Sequence, residues 1–387
     1  MRIAIVHDYI KEYGGAEKVL ETLHEIYPKA PIFTTVYLPK YLGPHRQRFA
    51  KMDIRPSILQ DLPFKAKLIS PIRLIAPTIF KHLDLSDYDL IIVSATGAYQ
   101  PNLIKKGKAV QICYCHTPPR YLYGYATARE WKKNPIFKIL GEVANHFLRM
   151  VDYNSAQNVD YYIANSKEIA SRIKKFYRKE ATVIHQPVDI PHNSYSLIRN
   201  SKRSYFLAGG RLARAKHPEL SIKACTKLKL PLKVFGKAFV SGYESELRQA
   251  AGKTVEFVGE VTQAEKYRLM AGAKAFIFPS EDEDFGITPV EAMACGTPVI
   301  AHRSGGVMET IIEGKTGMFF DELKVDSLVK AIKQFNNLSA GRQGMKFNPE
   351  DCIKQAKKFS KERFIYKIRD FVNSKLKAQN SKPKLKS

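Results

Sequence analysis

The sequence predicts an α/β protein made of two doubly wound parallel-sheet domains facing across a cleft. Three observations carry this expectation. The chain has 387 residues, more than one compact core usually organises. Short apolar runs alternate with stretches of helical period, as strand–helix–strand units do. That alternation occurs twice, on either side of a polar stretch without clear period.

The first series opens with "RIAIVHDY" (2–9), an apolar run closing in polar residues, followed by "KEYGGAEKVLETLHEIY", where the period becomes helical. Strand, glycine-containing loop and helix in that order begin a doubly wound sheet. Further buried strands are expected at "DLIIVSAT" (89–96), "AVQICYCH" (109–116) and "YYIANS" (161–166), with "ATVIHQPVD" (181–189) the last of this half. The first domain thus covers 1–190, and 191–203 reads as a linker. The second series runs "YFLAGG" (205–210), "LKVFG" (232–236), "VEFVG" (255–259), "AFIFPS" (275–280) and "PVIA" (298–301), within a domain at 204–351. Residues 352–377 read as one helix packing back across the domains. The basic tail 378–387 contains Lys382, Lys384 and Lys386 and no acid, and is expected to be disordered.

Composition excludes several classes. Hydrophobic content of 44% and charged content of 26% are those of a globular protein, not a disordered or fibrous one. No run approaches the ~20 apolar residues of a membrane span, and Met1-Arg2 leads directly into a strand rather than a signal peptide, so the expected location is the cytoplasm. The five cysteines lack zinc or redox spacing and read as reduced, mostly buried thiols.

The formal net charge is +26, from 63 Lys and Arg against 37 Asp and Glu. Residues 90–129 contain no acid, and neither does "LPFKAKLISPIRLIAPTIFKH" (62–82), which mixes Lys65, Lys67, Arg73 and Lys81 with large apolar residues. Basic charge beside apolar surface suits an anionic membrane face. Nucleic acid is not expected, because no helix-turn-helix, zinc-finger or RNA-binding signature accompanies the charge. A basic but merely solvated surface is the plainer alternative.

Against this background, "EDEDFGITPVEAMACGTPVIA" (281–301) concentrates Glu281, Asp282, Glu283, Asp284 and Glu291. Thr288 reads as a helix N-cap, Pro289 as the first helical residue and Glu291 as the partner in a capping box. Gly296 ends the helix and Pro298 prevents its continuation. The amides of Phe285, Gly286, Ile287 and Thr288 would then offer unpaired N–H groups and positive potential to a phosphate. Glu291 has two readings, cap and ligand-binding carboxylate, and the remaining acids read as a solvated loop or as ligands of a hard cation. Carboxylates next to a diphosphate would repel it, whereas sugar and ribose hydroxyls donate well to them. Cations for the phosphates are at hand in "GGRLARAKHPEL" (209–220), where Arg211 can clamp a diphosphate and Lys216 can act as a point charge. Gly14 and Gly15 allow a close backbone approach, and the loop lacks the full G-x-G-x-x-G spacing of a dinucleotide site.

Together these residues carry a resemblance. Glu283 and Glu291 around "DFGITPV", then "AMACGTPVIA", preceded by Arg211 and Lys216, closely resemble the retaining glycosyltransferases of family 4, which have the GT-B fold of two Rossmann-like domains. "GGAE", "HTPPRYLY" (116–123), "ANSKEIASRIKKFY" (164–177), "IHQPVD" (184–189) and "SGGVMETIIEGKTG" (304–317) match in the family's order, over roughly residues 1–370.

The resemblance implies a nucleotide-sugar donor whose diphosphate is bound by Arg211 and Lys216. It also implies ribose hydroxyls on Glu291, phosphate and sugar at the amides of 285–288, Glu283 beside the transferred sugar and His116 in contact with it. The "HQPVD" stretch is similar to the "PPVD" of bacterial mannosyltransferases of surface-polysaccharide assembly, with Gln186 departing from it. The expected activity is mannose transfer from GDP-mannose to a lipid-linked or polysaccharide acceptor at the inner membrane face, with no metal and no cofactor. A UDP-sugar-dependent enzyme of the same fold and a non-catalytic nucleotide-sugar or polyanion-binding protein are the alternatives. A dinucleotide-dependent oxidoreductase stands third, for want of the fingerprint.

Overall fold

Among the described residues, thirteen parallel strands form two sheets, each in a compact unit of its own. The computed structural model describes residues 1–127, 135–199, 201–238, 240, 242–339 and 347–380. The first sheet contains β1 (Ile3–His7), β2 (Ile32–Thr34), β3 (Ile54–Pro56), β4 (Leu90–Ala95), β5 (Val110–Cys115), β6 (Tyr161–Ala164) and β7 (Ala181–Val183), in the order β3-β2-β1-β4-β5-β6-β7. The second contains β8 (Tyr205–Gly209), β9 (Leu232–Phe235), β10 (Val255–Gly259), β11 (Ala273–Phe278), β12 (Val299–His302) and β13 (Gly317–Phe320), in the order β10-β9-β8-β11-β12-β13.

Every residue of β4 and of β5 is buried. Helices cover both faces of a doubly wound sheet, so its central strands are continuously apolar rather than alternating. β2, β3 and β13 carry no clear sequence signal: β2 and β3 are three residues long, and β3 ends on a proline. All five cysteines are buried and free.

In both sheets the chain winds first to one side and then to the other. The reversal falls between β1 and β4 in the first sheet and between β8 and β11 in the second. At such a point the loops leaving adjacent strands diverge and open a crevice beyond their carboxyl ends. This is where the predicted site residues of each unit fall.

The unit boundaries differ from the sequence expectation. The first unit is built chiefly from Met1–Gly124 and the chain up to Pro187, and takes in the C-terminal helix from Lys361; the second is chiefly Val188–Ser360. The expected linker holds a short helix, Ser194–Arg199, whose first residue is buried. The single helix expected over 352–377 is two helices, Pro349–Ala356 and Lys361–Asn380. A tight turn over Lys357–Phe359 separates them, and Ser360 leaves the helical conformation (φ −65°, ψ 157°). Val188 bridges to Ser360 and its N–H donates to the Phe359 carbonyl, which holds the break open. The expected disordered tail begins too early, since the last helix runs through Asn380; residues 381–387 lie outside those described.

Candidate functional site

In the first unit, β1 and β4 are neighbours in register, with His7 opposite Ser94. His7 Nδ1 lies 3.1 Å from Ser94 Oγ, and Ser94 Oγ lies 2.9 Å from His116 Nε2. The Gln186 amide nitrogen is 3.0 Å from His116 Nδ1. An amide N–H there makes Nδ1 the acceptor, so the imidazole donates from Nε2 to Ser94, and Ser94 donates on to His7. The row ends at His7 Nε2, which is buried without a hydrogen-bond partner, 4.0 Å from Glu17 Oε1. Burial, and after it the neighbouring His7, pushes the His116 imidazole down to about 3. His116 is therefore neutral at physiological pH, and both its nitrogens are engaged inside the protein.

Asp8, completely buried, ties the β1 and β4 loops together: its carboxylate accepts from Thr96 N at 2.5 Å and Tyr99 N at 3.2 Å. Burial raises its pKa in spite of His7 and these donors. Gly14 is extended (φ −137°) and caps the helix Gly15–Ile26, and its N–H donates to Glu17 Oε2 at 2.9 Å.

In the second unit the chain leaves β8 through Gly209 and Gly210 and crosses the end of β9. A Cβ on Gly236 would stand 1.8 Å from the Gly210 carbonyl oxygen, so only glycine fits that crossing. Arg211 follows, exposed, and then the turn Arg214–Lys216. Lys216 Nζ is ion-paired with Glu283 Oε2 and lies 5.5 Å over the Phe278 ring. Ser280 Oγ donates to the same carboxylate oxygen at 2.8 Å. Gly306 N donates to the Glu283 carbonyl at 2.7 Å, and Gly305 sits so close that a Cβ would be 2.2 Å from that oxygen. Two glycines therefore let the second loop lie flat against the acidic one.

The helix that follows spans Ile287–Ala294. Its N-cap is Gly286 in the left-handed conformation (φ 87°), which corrects the expected start at Thr288. Thr288 is already inside the first turn, so it caps nothing, and Glu291 does not close a capping box. Its carboxylate instead accepts from Lys266 Nζ at 2.8 Å, with side-chain exposures of 6% and 18%. Starting earlier moves the amides of Ile287 and Thr288 to the helix mouth, where no intrahelical acceptor exists for them. Thr288 stands against Gly210, at 3.6 Å from where a Cβ would be. The Phe285 side chain is core, edge-on to Phe359 at 5.6 Å.

The structure thus brings Gly210, Lys216, Glu283 and Thr288 together at one switch point, with Glu291 one helical turn further on. Gly14, Gly15 and His116 gather at the switch point of the other unit. Sequence reasoning missed His7, Asp8, Ser94 and Lys266; the first three lie at or next to the ends of β1 and β4 at the reversal point, a position legible only once the strand order is known.

Of the acids without an expected role, Glu281 faces His217 (3.4 Å), and Asp282 takes a left-handed turn (φ 48°) with its N–H on Ser304 Oγ. Among the described residues, no three of His, Cys, Asp and Glu gather as a metal ion would require. The acid-free stretch forms helices Lys65–Ile72 and Ala76–His82, leaving Phe64 and Leu74 exposed. The helix Pro135–Gln157 exposes Ile139, Leu140, Val143 and Phe147 on one face. No helix among the described residues is long and apolar enough to cross a membrane.

Comparison with known proteins covers nearly the whole chain. Residues 13–191 match the model of Glycosyltransferase Family 4, and residues 189–359 that of Glycosyl transferases group 1. An α-1,3/1,6-mannosyltransferase of Schizosaccharomyces pombe is 27% identical over 273 residues, 59% of this chain and 52% of its own. A D-inositol 3-phosphate glycosyltransferase of Pseudarthrobacter chlorophenolicus is 34% identical over 130 residues, 30% of each chain. The chain therefore spans about half the length, or less, of these curated relatives. Among solved structures, HepE of Anabaena in complex with UDP superimposes with a TM-score of 0.70 at 19% identity, covering 97% of this chain and 100% of that one. Sucrose-phosphate synthase of Thermosynechococcus elongatus gives 0.72 at 17%, covering 98% and 100%.

Proposed function

The chain belongs to the family 4 glycosyltransferases and has their GT-B fold, and from that premise we propose that it is a retaining, metal-independent mannosyltransferase. Its donor in this reading is GDP-mannose, and its acceptor a lipid-linked or polysaccharide glycan at the inner face of the cell membrane. The observation that carries the reading is the second unit's switch point, where Lys216 and the mouth of the helix Ile287–Ala294 flank Glu283.

The chemistry follows from the charges that develop. As the anomeric carbon–oxygen bond breaks, negative charge grows on the departing diphosphate and positive charge on the sugar. Arg211, Lys216 and the first-turn amides meet the former, and Glu283 faces the latter. Fixed donors aimed at developing charge are worth about 10²–10³ in rate apiece. The acceptor hydroxyl attacks from the same face and passes its proton to the leaving phosphate oxygen, so configuration is retained. Glu291 accepts the ribose hydroxyls. His116 is too weak a base to take a proton, because burial holds its pKa near 3. It serves as a neutral hydrogen-bond partner, a sugar hydroxyl replacing Gln186 at Nδ1.

The basic, apolar surface of helices Lys65–Ile72 and Ala76–His82 supports peripheral attachment to anionic lipid from the cytoplasm. The mannosyltransferase relative supports the sugar. A second reading keeps the site and changes the donor: the Anabaena neighbour was solved with UDP and with UDP-glucose, which favours a UDP-sugar.

A thermal-shift panel of nucleotides and nucleotide-sugars decides between them. Stabilisation follows RT ln(1 + [L]/Kd), about 2.7 kcal/mol at a hundredfold excess over Kd. GDP-mannose is expected to shift the transition most. A larger shift with a UDP-sugar overturns the mannose reading, and donor binding without transfer to any acceptor extract overturns the enzyme.

A further inference from the structure

We propose that His217 is a positioning residue for the donor's diphosphate: by bridging Glu219 and Glu281 it fastens the turn Arg214–Lys216 to the loop after β11, and so fixes where Lys216 stands. The inference rests on the reading that Arg211 and Lys216 take that diphosphate.

His217 directly follows Lys216, and its backbone is left-handed, φ 47°. That region is disfavoured for a residue with a side chain, so neighbouring contacts must hold it there. Its Nδ1 lies 2.9 Å from Glu219 Oε1, and its Nε2 lies 3.4 Å from Glu281 Oε2. A neutral imidazole has one N–H and can serve only one of these carboxylates; the imidazolium has two and serves both. Two carboxylates on opposite ring nitrogens therefore select the charged form.

The surrounding charges agree. Tyr243 Oη donates to Glu219 Oε2 at 2.8 Å, which keeps that carboxylate oriented on the ring. Arg214 stacks over Tyr243 at 4.6 Å and pairs with Glu246 at 2.8 Å. Lys216 pairs with Glu283. The hydrogen bond that the ring donates to Glu219 raises the His217 pKa; burial opposes this, and the charge of Glu219 and the contact with Glu281 add to the rise.

The turn and the acidic loop are thus joined by several contacts, among them Ser280 Oγ, which donates to the Ala215 carbonyl at 3.4 Å. Glu281 N donates to the Ala215 carbonyl at 3.0 Å, Lys216 meets Glu283, and His217 meets Glu281. When a diphosphate draws Lys216 toward itself, the His217 bridge is the charged tie that remains, beside Ser280 Oγ on the Ala215 carbonyl. Loss of the ring proton leaves one carboxylate without a donor. Glu281, at the longer distance and with 41% of its side chain exposed, is the one released.

The test is calorimetric binding of GDP-mannose and UDP-glucose from about pH 5.5 to 8.5. Both are diphosphate diesters and lack the terminal-phosphate ionisation near pH 6, so the profile reports the protein. Wild type, H217G, E281Q and K216A are compared; glycine takes φ 47° freely, and an unchanged melting temperature certifies folding. Wild-type affinity for the tighter donor is expected to fall about fivefold as pH rises through the raised His217 pKa. H217G and E281Q are expected to bind at the weaker level throughout, without a slope. H217G or E281Q with wild-type affinity and slope overturns the inference alone, provided K216A weakens binding. If K216A binds as wild type does, or neither donor binds wild type, the diphosphate reading fails and the inference fails with it.

Discussion

Lys216 and Glu283, 67 residues apart in sequence, are ion-paired at the switch point of the second sheet, and Ser280 donates to the same carboxylate oxygen. One residue was expected to bind phosphate and the other to face the sugar. In the structure each neutralises the other, so in the proposed mechanism donor binding divides a pair already made.

Replacing Glu283 by Gln releases Lys216 without changing side-chain shape. Binding of GDP or UDP, measured by calorimetry, is expected to tighten about tenfold, the worth of one charge-assisted hydrogen bond at the low end of its range. Sugar transfer by the same variant is expected to fall about a hundredfold. Binding and turnover falling together would show that Glu283 only shapes the loop.

Lys266 and Glu291 form a pair that is largely withdrawn from water. K266M strands a carboxylate and is expected to cost about 3 kcal/mol in chemical denaturation. The double variant K266M/E291L recovers most of that stability, because a buried pair and an apolar pair are often of similar worth. It does not recover donor binding if Glu291 takes the ribose hydroxyls.

Gln186 donates to His116. With Q186L the imidazole loses the partner that sets which nitrogen carries the proton. The expected result is a raised KM for the donor, with a stability loss of about 1–3 kcal/mol from the buried Nδ1 left without a donor. Since His116 stays neutral down to about pH 3, the kcat profile is expected to show no ionisation belonging to it between pH 5 and 8. H116Q measured beside wild type checks this, and a lost inflection in that range would restore His116 as a base.

Asp152 is buried and accepts from Tyr123 Oη at 2.8 Å; burial raises its pKa to about 7. Its folded value lies above its unfolded one, so its contribution to stability is complete below about pH 4 and is lost as pH rises toward 7. D152N removes that loss. In urea titrations it is expected to match wild type near pH 4 and to exceed it by a few kcal/mol at pH 8. A constant difference at both values would assign the effect to packing.

Transfer is expected to proceed fully in EDTA, because cationic side chains and helix amides meet the leaving charge in the proposed mechanism. An absolute requirement for Mg²⁺, restored by its addition, would return the acidic loop to consideration as a cation site.

Long apolar strands and the loops after them were legible because burial on both faces leaves a continuous apolar run, as in β4 and β5. Three-residue strands such as β2 and β3 leave no such run; their neighbours in the sheet specify them. At 281–301 the residue types were readable and their contacts were not. Thr288, Pro289 and Glu291 have the spacing of a cap, yet Gly286 takes the cap because only glycine reaches φ 87° without strain. Glu291 and Lys266 are 25 residues apart, and their pairing depends on how two helices pack. Gln186, which stood out as a departure from a familiar pattern, proves to be hydrogen-bonded to His116 Nδ1.

The last helix, Lys361–Asn380, lies in the core of the first unit. Phe364 meets Tyr114 edge-on at 5.7 Å, Ile368 and Val372 are buried beside it, and Lys361 pairs with Glu25 at 2.6 Å. During synthesis on the ribosome, the unit that begins first therefore cannot close until every residue of the other has been translated. Its sheet must wait with an apolar face uncovered, at the ~5–20 residues per second of elongation. A premature stop near residue 360 would thus injure the beginning of the protein rather than the half it interrupts, and chaperones would meet the nascent chain at its amino-terminal half.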